Sequence, residues 1–109
     1  MTLRTDDLVI PQGATWEVRW PIVGEDGAPA DLSGWEARAQ ARSTIPSPAV
    51  LHEFDTAVVD SSVALKLTPA ESSAFVWTKA VYDVELFHPD GRVVRVTQGA
   101  IRIDPEVTR

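Results

Sequence analysis

An alternation of apolar and polar residues with a period of two runs through most of the chain and limits the folds open to it. In residues 16–22, tryptophan, valine, tryptophan and isoleucine occupy every second position, with glutamate and arginine among the residues between them. Successive side chains of a β-strand point to opposite faces, so this pattern predicts half-buried strands. Residues 79–87 (KAVYDVELF) show it most strongly. Pro21 cannot donate a ladder hydrogen bond, which predicts an edge position or a strand end there.

Residues 35–42 (WEARAQAR) also alternate, with tryptophan and three alanines on one side. Alanine favours helices, so a helix is the competing interpretation. The alanines would be spread around a helix, whereas on a strand they form one face. We therefore predict a strand with small inward-facing residues.

Further strands are expected at residues 50–54 and 63–67, and a long returning strand at residues 92–103, with a bulge at Gly99. Turn and loop signals separate the strands at residues 24–27, 31–34, 43–48 and 88–91.

A single helix signal follows the strand at residues 63–67. Thr68 can cap a helix, Pro69 suits its first position, and Glu71 completes a capping box. The helix is expected near residues 69–75. Together with about seven short strands and turns every 8–12 residues, this predicts an all-β fold, an antiparallel β-sandwich. A length of 109 residues fits one domain, residues 1–109.

Composition excludes several classes of function. The formal net charge of −6 disfavours a nucleic-acid-binding surface, which needs clustered cations. The chain has no cysteine, so disulfides, thiolate metal sites and cysteine nucleophiles are excluded. The amino-terminal residues lack the apolar stretch of a signal peptide, and no apolar run reaches the length of a membrane helix. We expect a protein made in a cell that binds neither nucleic acid nor a membrane.

Titratable residues offer few catalytic candidates. His52 is expected to face outward from a strand, and His88 either pairs with Asp90 or lies solvated at a hairpin tip. Asp83 and Glu85 share one face of a strand and could act as an acid and a base. Alternatively, they face water or pair with Arg92, Arg95 or other arginines across the sheet. No serine has a histidine partner by motif, and no nucleophile elbow, phosphate loop or metal-ligand spacing is present, so we expect no enzyme activity and no cofactor.

Four tryptophans are the most distinctive feature of the composition. Large aromatic residues in a small domain either fill the core or anchor an interface. Trp16 and Trp20 share an alternating face and are expected in the core, as are Trp35 and Trp77 at its ends. If one tryptophan anchors an interface, we expect it to be Trp20 or Trp77.

Five segments, taken in order, resemble a group of short bacteriophage virion proteins. Residues 8–16 (LVIPQGATW) resemble their I-x-Q-G-A-T-F start, and residues 26–34 (DGAPADLSG) resemble DG-x-P-x-D-L-T-G. Residues 65–71 (LKLTPAE) resemble L-x-L-T-x-x-E, and residues 77–92 resemble W-x-x-x-x-YD-x-E-L-x-x-x-DG. Residues 99–109 (GAIRIDPEVTR) resemble G-x-V-x-V-x-P-E-V-T-R.

The resemblance spans nearly the whole chain and is shared by the amino-terminal modules of phage upper-baseplate proteins. It implies an Ig-like sandwich that is a non-catalytic structural protein of the virion, made in the bacterial host cytoplasm. The implied partners are major capsid, tail or baseplate subunits, contacted by a homo-oligomer or a symmetric array. Since no fibre or receptor-binding part follows Arg109, we expect a decorating or joining role.

Two terminal segments, residues 2–10 and 104–109, are the expected attachment points. The candidate interface residues are Trp20, Trp77, Arg4, Arg102, Val107 and Arg109. The alternative function is a carbohydrate-binding module or a receptor-binding accessory that uses exposed tryptophans.

Overall fold

The computed structural model describes residues 4–108, which form two β-sheets and one short helix. The larger sheet contains β1 (Arg4–Thr5), β2 (Leu8–Pro11), β4 (Glu36–Arg42), β5 (His52–Glu53), β8 (Lys79–Phe87) and β9 (Val93–Asp104). The smaller sheet contains β3 (Trp16–Pro21), β6 (Asp55–Val59) and β7 (Ser62–Leu67). Helix α1 is Pro69–Ser73. The predicted all-β sandwich is confirmed.

The core lies between the two sheets and is built from the inward side of each alternating strand. Along β8 the exposure alternates strictly, with Ala80, Tyr82, Val84 and Leu86 buried. The alanines of β4 face the same core, as the strand interpretation predicts and the helix interpretation does not. The order β3-β7-β6 places β3 at a sheet edge, which agrees with the position of Pro21 at its end.

In two places, two short strands follow each other closely in sequence and form one continuous run of extended chain. β1 and β2 both pair with β9, and the segments β5 and β6 are separated only by Phe54. At Phe54 the chain leaves the larger sheet and enters the smaller one, because β5 pairs with β4 and β6 pairs with β7. The nine segments therefore form seven strand runs, the expected number, although the run of β1 and β2 was not among the predicted strands. Residues 55–59, which carried no clear alternation, are a strand that the sequence did not predict.

The amino-terminal strands pair with β9 in parallel, whereas the strand prediction was antiparallel throughout. The expected bulge at Gly99 is also misplaced. Pairing of β8 with β9 shifts between Val84 and Glu85, so Val96 is the extra residue. Gly99 has a different role: a Cβ there would overlap the carbonyl oxygen of Asp6, so only glycine lets the amino-terminal chain approach β9.

Helix α1 begins as its sequence predicts. The Thr68 hydroxyl accepts a hydrogen bond from the Glu71 N–H (3.1 Å), and the Glu71 carboxylate accepts one from the Thr68 N–H (2.9 Å). This second bond, donated by the backbone, is the main reason that the pKa of Glu71 is lowered. The helix ends at Ser73, slightly earlier than expected, and the following residues close one end of the sandwich.

Thr68→Ala is expected to lower the free energy of unfolding by about 1 kcal/mol, because the Glu71 N–H loses its capping partner. Thr68→Ser retains the hydroxyl and is the matched control, with an expected loss of less than about 0.5 kcal/mol. Urea denaturation followed by circular dichroism measures both variants. Equal stabilities of the alanine and serine variants would contradict this assignment of the cap.

Candidate interaction surface

Gln12 joins three separate segments of chain at one end of the sandwich. Its Nε2 donates to the carbonyl oxygens of Phe75 (3.2 Å) and Ser73 (3.4 Å). Ser73 is the last residue of helix α1, and Phe75 lies in the segment after it. Its Oε1 accepts from the N–H of Glu106 (3.2 Å), and its own N–H donates to the carbonyl of Asp104 (2.9 Å). One side chain thereby positions both the segment after α1 and the carboxy-terminal segment.

Ser72 provides a second link at the same end. Its fully buried hydroxyl accepts from the N–H of Gly13 (2.9 Å) and lies 3.3 Å from the carbonyl oxygens of Ala14 and Pro69. Gly13 has a φ of +84°, a conformation that favours glycine. The turn after β2 is thus held directly against α1.

Exposed apolar side chains lie on the two segments that Gln12 positions, the one after α1 and the carboxy-terminal one. Val76 is 97% exposed and Val107 is 92% exposed. Trp77, between Val76 and β8, is half-buried, and its ring stacks on that of Phe75 with centroids 4.6 Å apart. We define the end surface as Phe75, Val76, Trp77, Glu106 and Val107. Val76 was missed from the sequence, although the apolar run 75–77 directly after a helix was a usable signal.

His52 lies beneath this end, and not on the outward side of a strand as expected. Its ring packs edge-on against Phe54 and Phe75, with centroid distances of 5.0 and 4.9 Å. Its Nε2 is buried, has no hydrogen-bond partner among the described residues, and lies 3.9 Å from Glu71 Oε2. The strand switch at Phe54 turns this side chain toward α1, which local alternation did not reveal.

Trp20 is a core residue, so its selection as an exposed interface anchor is wrong. It is 3% exposed, and its Nε1–H donates to Asp6 Oδ2 at 2.7 Å. The Tyr82 hydroxyl donates to the Asp6 carbonyl at 2.5 Å. Burial raises the pKa of Tyr82 to about 12. Asp6 thus binds the two buried aromatic residues to the amino-terminal strand.

The other candidate interface residues are distributed over the molecule. Trp77 and Val107 belong to the end surface, and exposed Arg102 lies on the outward side of β9 opposite Lys79. The backbone of Arg4 pairs with that of Thr97 in β1, while its side chain lies outside the described part of the chain. Arg109 also lies outside the described residues.

Asp83 and Glu85 pair with arginines on the neighbouring strands, as one of the two interpretations predicted. Glu85 Oε1 lies 2.9 Å from Arg38 Nε, and Asp83 Oδ2 lies 3.7 Å from Arg95 Nε. Burial, followed by the neighbouring Glu85 charge, raises the pKa of Asp83. Both carboxylates lie on the outer face of the larger sheet.

His88 and Asp90 do meet at the hairpin tip. Nδ1 of His88 lies 3.1 Å from Asp90 Oδ1 and accepts from the Asp90 N–H at 3.2 Å. The ring is half-buried rather than solvated, because it packs edge-on against Trp35 with centroids 5.2 Å apart. Arg92 lies over the same indole, 4.9 Å from its centroid. This arrangement closes the end of the sandwich opposite the end surface.

Within residues 4–108, no group of three or more histidine, aspartate or glutamate side chains is placed to hold a metal ion. The described part of the chain also contains no helix long and apolar enough to cross a membrane.

Comparison with solved structures identifies the fold. A crystal structure of a chicken TCR matches with a TM-score of 0.62 and 15% sequence identity, over 97% of this chain and 56% of that chain. The protein is therefore similar in fold to an Ig-like β-sandwich, and it spans just over half the length of that TCR chain. No family model and no curated protein matches the sequence.

Proposed function

We propose that the protein is a non-catalytic structural component of a bacteriophage particle. In this role it decorates or joins capsid, tail or baseplate subunits, and the end surface is its principal contact with them. The protein is made in the cytoplasm of the bacterial host and then incorporated into the virion as a homo-oligomer or as part of a symmetric array.

The observation that carries the proposal is the meeting of the virion-like segments at the end surface. Residues 8–16 contain Gln12, residues 77–92 begin with Trp77, and residues 99–109 contain Glu106 and Val107. These segments are distant in sequence, yet the Gln12 side chain bonds to main-chain atoms on both sides of this surface. The residues that carry the resemblance thus build the support of one exposed site.

The composition of the end surface also suits a protein contact. Isolated exposed valines are ordinary, but here two almost fully exposed valines accompany a half-buried tryptophan. Interface cores are enriched in aromatic and apolar residues and are surrounded by polar ones. Glu106 provides a polar group beside Val107. Removal of this apolar surface from water would favour association.

Two substitutions at the end surface test the proposal. Val76→Asp with Val107→Asp is expected to reduce incorporation into particles at least tenfold, because two charges replace the exposed apolar groups. Quantitative mass spectrometry of purified virions from a complementation assay measures the incorporation. Both side chains are over 90% exposed, so the thermal unfolding midpoint of the free protein should change by less than about 3 °C.

Val93→Asp is the matched control, because Val93 is 51% exposed and lies beside the hairpin tip at the opposite end. It should be incorporated at the wild-type level. Absence of the wild-type protein from purified particles would overturn the virion proposal altogether. Incorporation of the double variant at the wild-type level would contradict the role of the end surface as the principal contact.

The carbohydrate-binding alternative now depends on Trp77, since Trp20 is buried. Binding of a host polysaccharide that Trp77→Ala abolishes, together with absence from particles, would favour that alternative.

A further inference from the structure

Strand β3 lies at an edge of the smaller sheet, and two of its residues direct main-chain groups to the open side. The Ile22 N–H donates to the Ser61 carbonyl at 2.7 Å, and these two residues continue the register of β3 with β7. In an antiparallel ladder every second residue bonds to the same neighbour, so the even-numbered residues of β3 bond to β7. The N–H and C=O groups of Glu17 and Arg19 therefore point away from β7, where they have no partner within residues 4–108.

The opposite side of the sandwich is closed by the chain itself. The Ala39 carbonyl of β4 accepts from the Phe54 N–H at 3.0 Å, and the Ala37 carbonyl accepts from the Thr56 hydroxyl at 2.9 Å. The run of β5 and β6 thus covers the edge of β4 and holds β6 against it. Strand β3 is the longest edge strand in the described part of the chain, and its side has no such cover.

The inward side chains of β3 are incompletely covered at this open side. Trp16 and Val18 are half-buried, whereas Leu67 and Leu65, directly opposite them on β7, are buried. A strand added at the edge would therefore remove apolar surface from water as well as satisfy main-chain groups. An edge with both features is a template for pairing with another chain.

The larger sheet restricts what can pair with this edge. The Trp20 ring stacks on that of Tyr82 with centroids 6.4 Å apart, so β3 lies over β8. Because β6 lies against β4, the strands beyond β8, which are β9, β1 and β2, extend past the open side of β3. A second copy that paired its own β3 there would bring its larger sheet into this one. A single extended segment meets no such obstacle.

Charges on the outer face of the smaller sheet select among such segments. Asp55, Lys66 and Glu17 lie in one row across β6, β7 and β3, so the signs alternate and the next position favours a cation. Arg19 lies in another row, opposite the uncharged Ala64, and favours an anion at its open side. The 2.8 Å hydrogen bond from Arg19 lowers the pKa of Glu17, so this carboxylate is ionised at neutral pH.

We propose that the open edge of β3 binds an extended segment of a partner protein as an added antiparallel strand. The segment carries an acidic residue opposite Arg19 and, two positions later, a basic residue opposite Glu17. Main-chain hydrogen bonds at Glu17 and Arg19 hold it, and the two charges select it, as in other cases of strand addition. A segment with the two charges exchanged meets like charges at both positions and is rejected.

A peptide of residues 14–20 (ATWEVRW) is a probe with this chemistry. Laid antiparallel to β3 about Val18, it places its arginine opposite Glu17 and its glutamate opposite Arg19. Fluorescence anisotropy of the fluorescein-labelled peptide measures its binding to the free protein. We expect a dissociation constant about tenfold larger for the exchanged peptide ATWRVEW, because two attractive cross-strand pairs become repulsive. The protein variant Glu17→Arg with Arg19→Glu should reverse this preference, and circular dichroism confirms its fold.

Two N-methylated peptides test the proposed ladder. Methylation of the glutamate and arginine N–H groups of the peptide removes the donors that face β3, and it should abolish binding. Methylation of the central valine, whose N–H faces away from β3, is the matched control and should leave binding unchanged. In the protein, the amides of Glu17 and Arg19 should gain protection from hydrogen exchange when the peptide binds, while that of Val76 should not.

Three outcomes would overturn the proposal. These are no binding of ATWEVRW at about 1 mM protein, equal affinities of the folded wild-type protein for the two charge patterns, or binding that persists after methylation of the glutamate and arginine. The result is independent of virion incorporation, because it is measured on the free protein and involves no residue of the end surface.

Discussion

Gly99→Ala is expected to lower the free energy of unfolding by about 3 kcal/mol, because the new methyl group has no space and its neighbour is main chain. The added Cβ would overlap the Asp6 carbonyl oxygen and lie 2.8 Å from the Asp6 carbonyl carbon. Relief requires the amino-terminal strand to move away from β9. That movement breaks the bonds by which Asp6 holds Trp20 and Tyr82.

Chemical denaturation followed by tryptophan fluorescence measures this effect, and amide hydrogen exchange locates it. Protection should fall first for residues 6–10, which pair with β9. Gly24→Ala is the control, since its Cβ would meet mainly the Asp26 side chain at 3.1 Å, which needs to shift by only a few tenths of an ångström. Stability of Gly99→Ala within about 0.5 kcal/mol of wild type would contradict the close approach of Asp6 to β9.

Trp20→Ala is expected to cost about 4 kcal/mol, within the range observed when a buried tryptophan or phenylalanine is truncated. The substitution leaves a cavity between the sheets and removes the donor to Asp6 Oδ2. The ring also lies against Tyr82, with centroids 6.4 Å apart. Because small domains are stable by only about 5–15 kcal/mol, the variant should be substantially less stable at 37 °C.

Trp77→Ala provides the comparison, since Trp77 is half-buried and stacks on Phe75 at the end surface. Its expected cost is about 1–2 kcal/mol, because part of its surface is already in water. Thermal and urea denaturation of the two variants should therefore separate clearly. If Trp20→Ala retained wild-type stability, the assignment of Trp20 to the core would be wrong.

Several elements could be predicted because their signals are local. The alternation in residues 79–87 specifies which side chains of β8 face the core, and a one-residue slip would expose all of them. The Thr68–Glu71 capping box similarly requires only the residues of its own turn. Pro21 indicates an edge strand because a proline lacks the N–H that a central strand needs.

Other elements depend on partners distant in sequence. The switch of sheets at Phe54 and the parallel pairing of β2 with β9 leave no periodic signal, because alternation reports a buried face and not the identity of the neighbouring strand. Gly99 illustrates this limit: its sequence context suggested a bulge, whereas its small size serves the close approach of Asp6.

The candidate site shows the same division. Trp77 and Val107 were identified from the sequence, while Val76, the Gln12 network and the buried position of Trp20 were found only in the structure. Sequence alone determined an all-β sandwich with a capped helix, since alternation and capping arise within a few residues. Only the tertiary structure decided which tryptophan is exposed and which segments meet at the end surface, because burial depends on contacts between residues far apart in the chain.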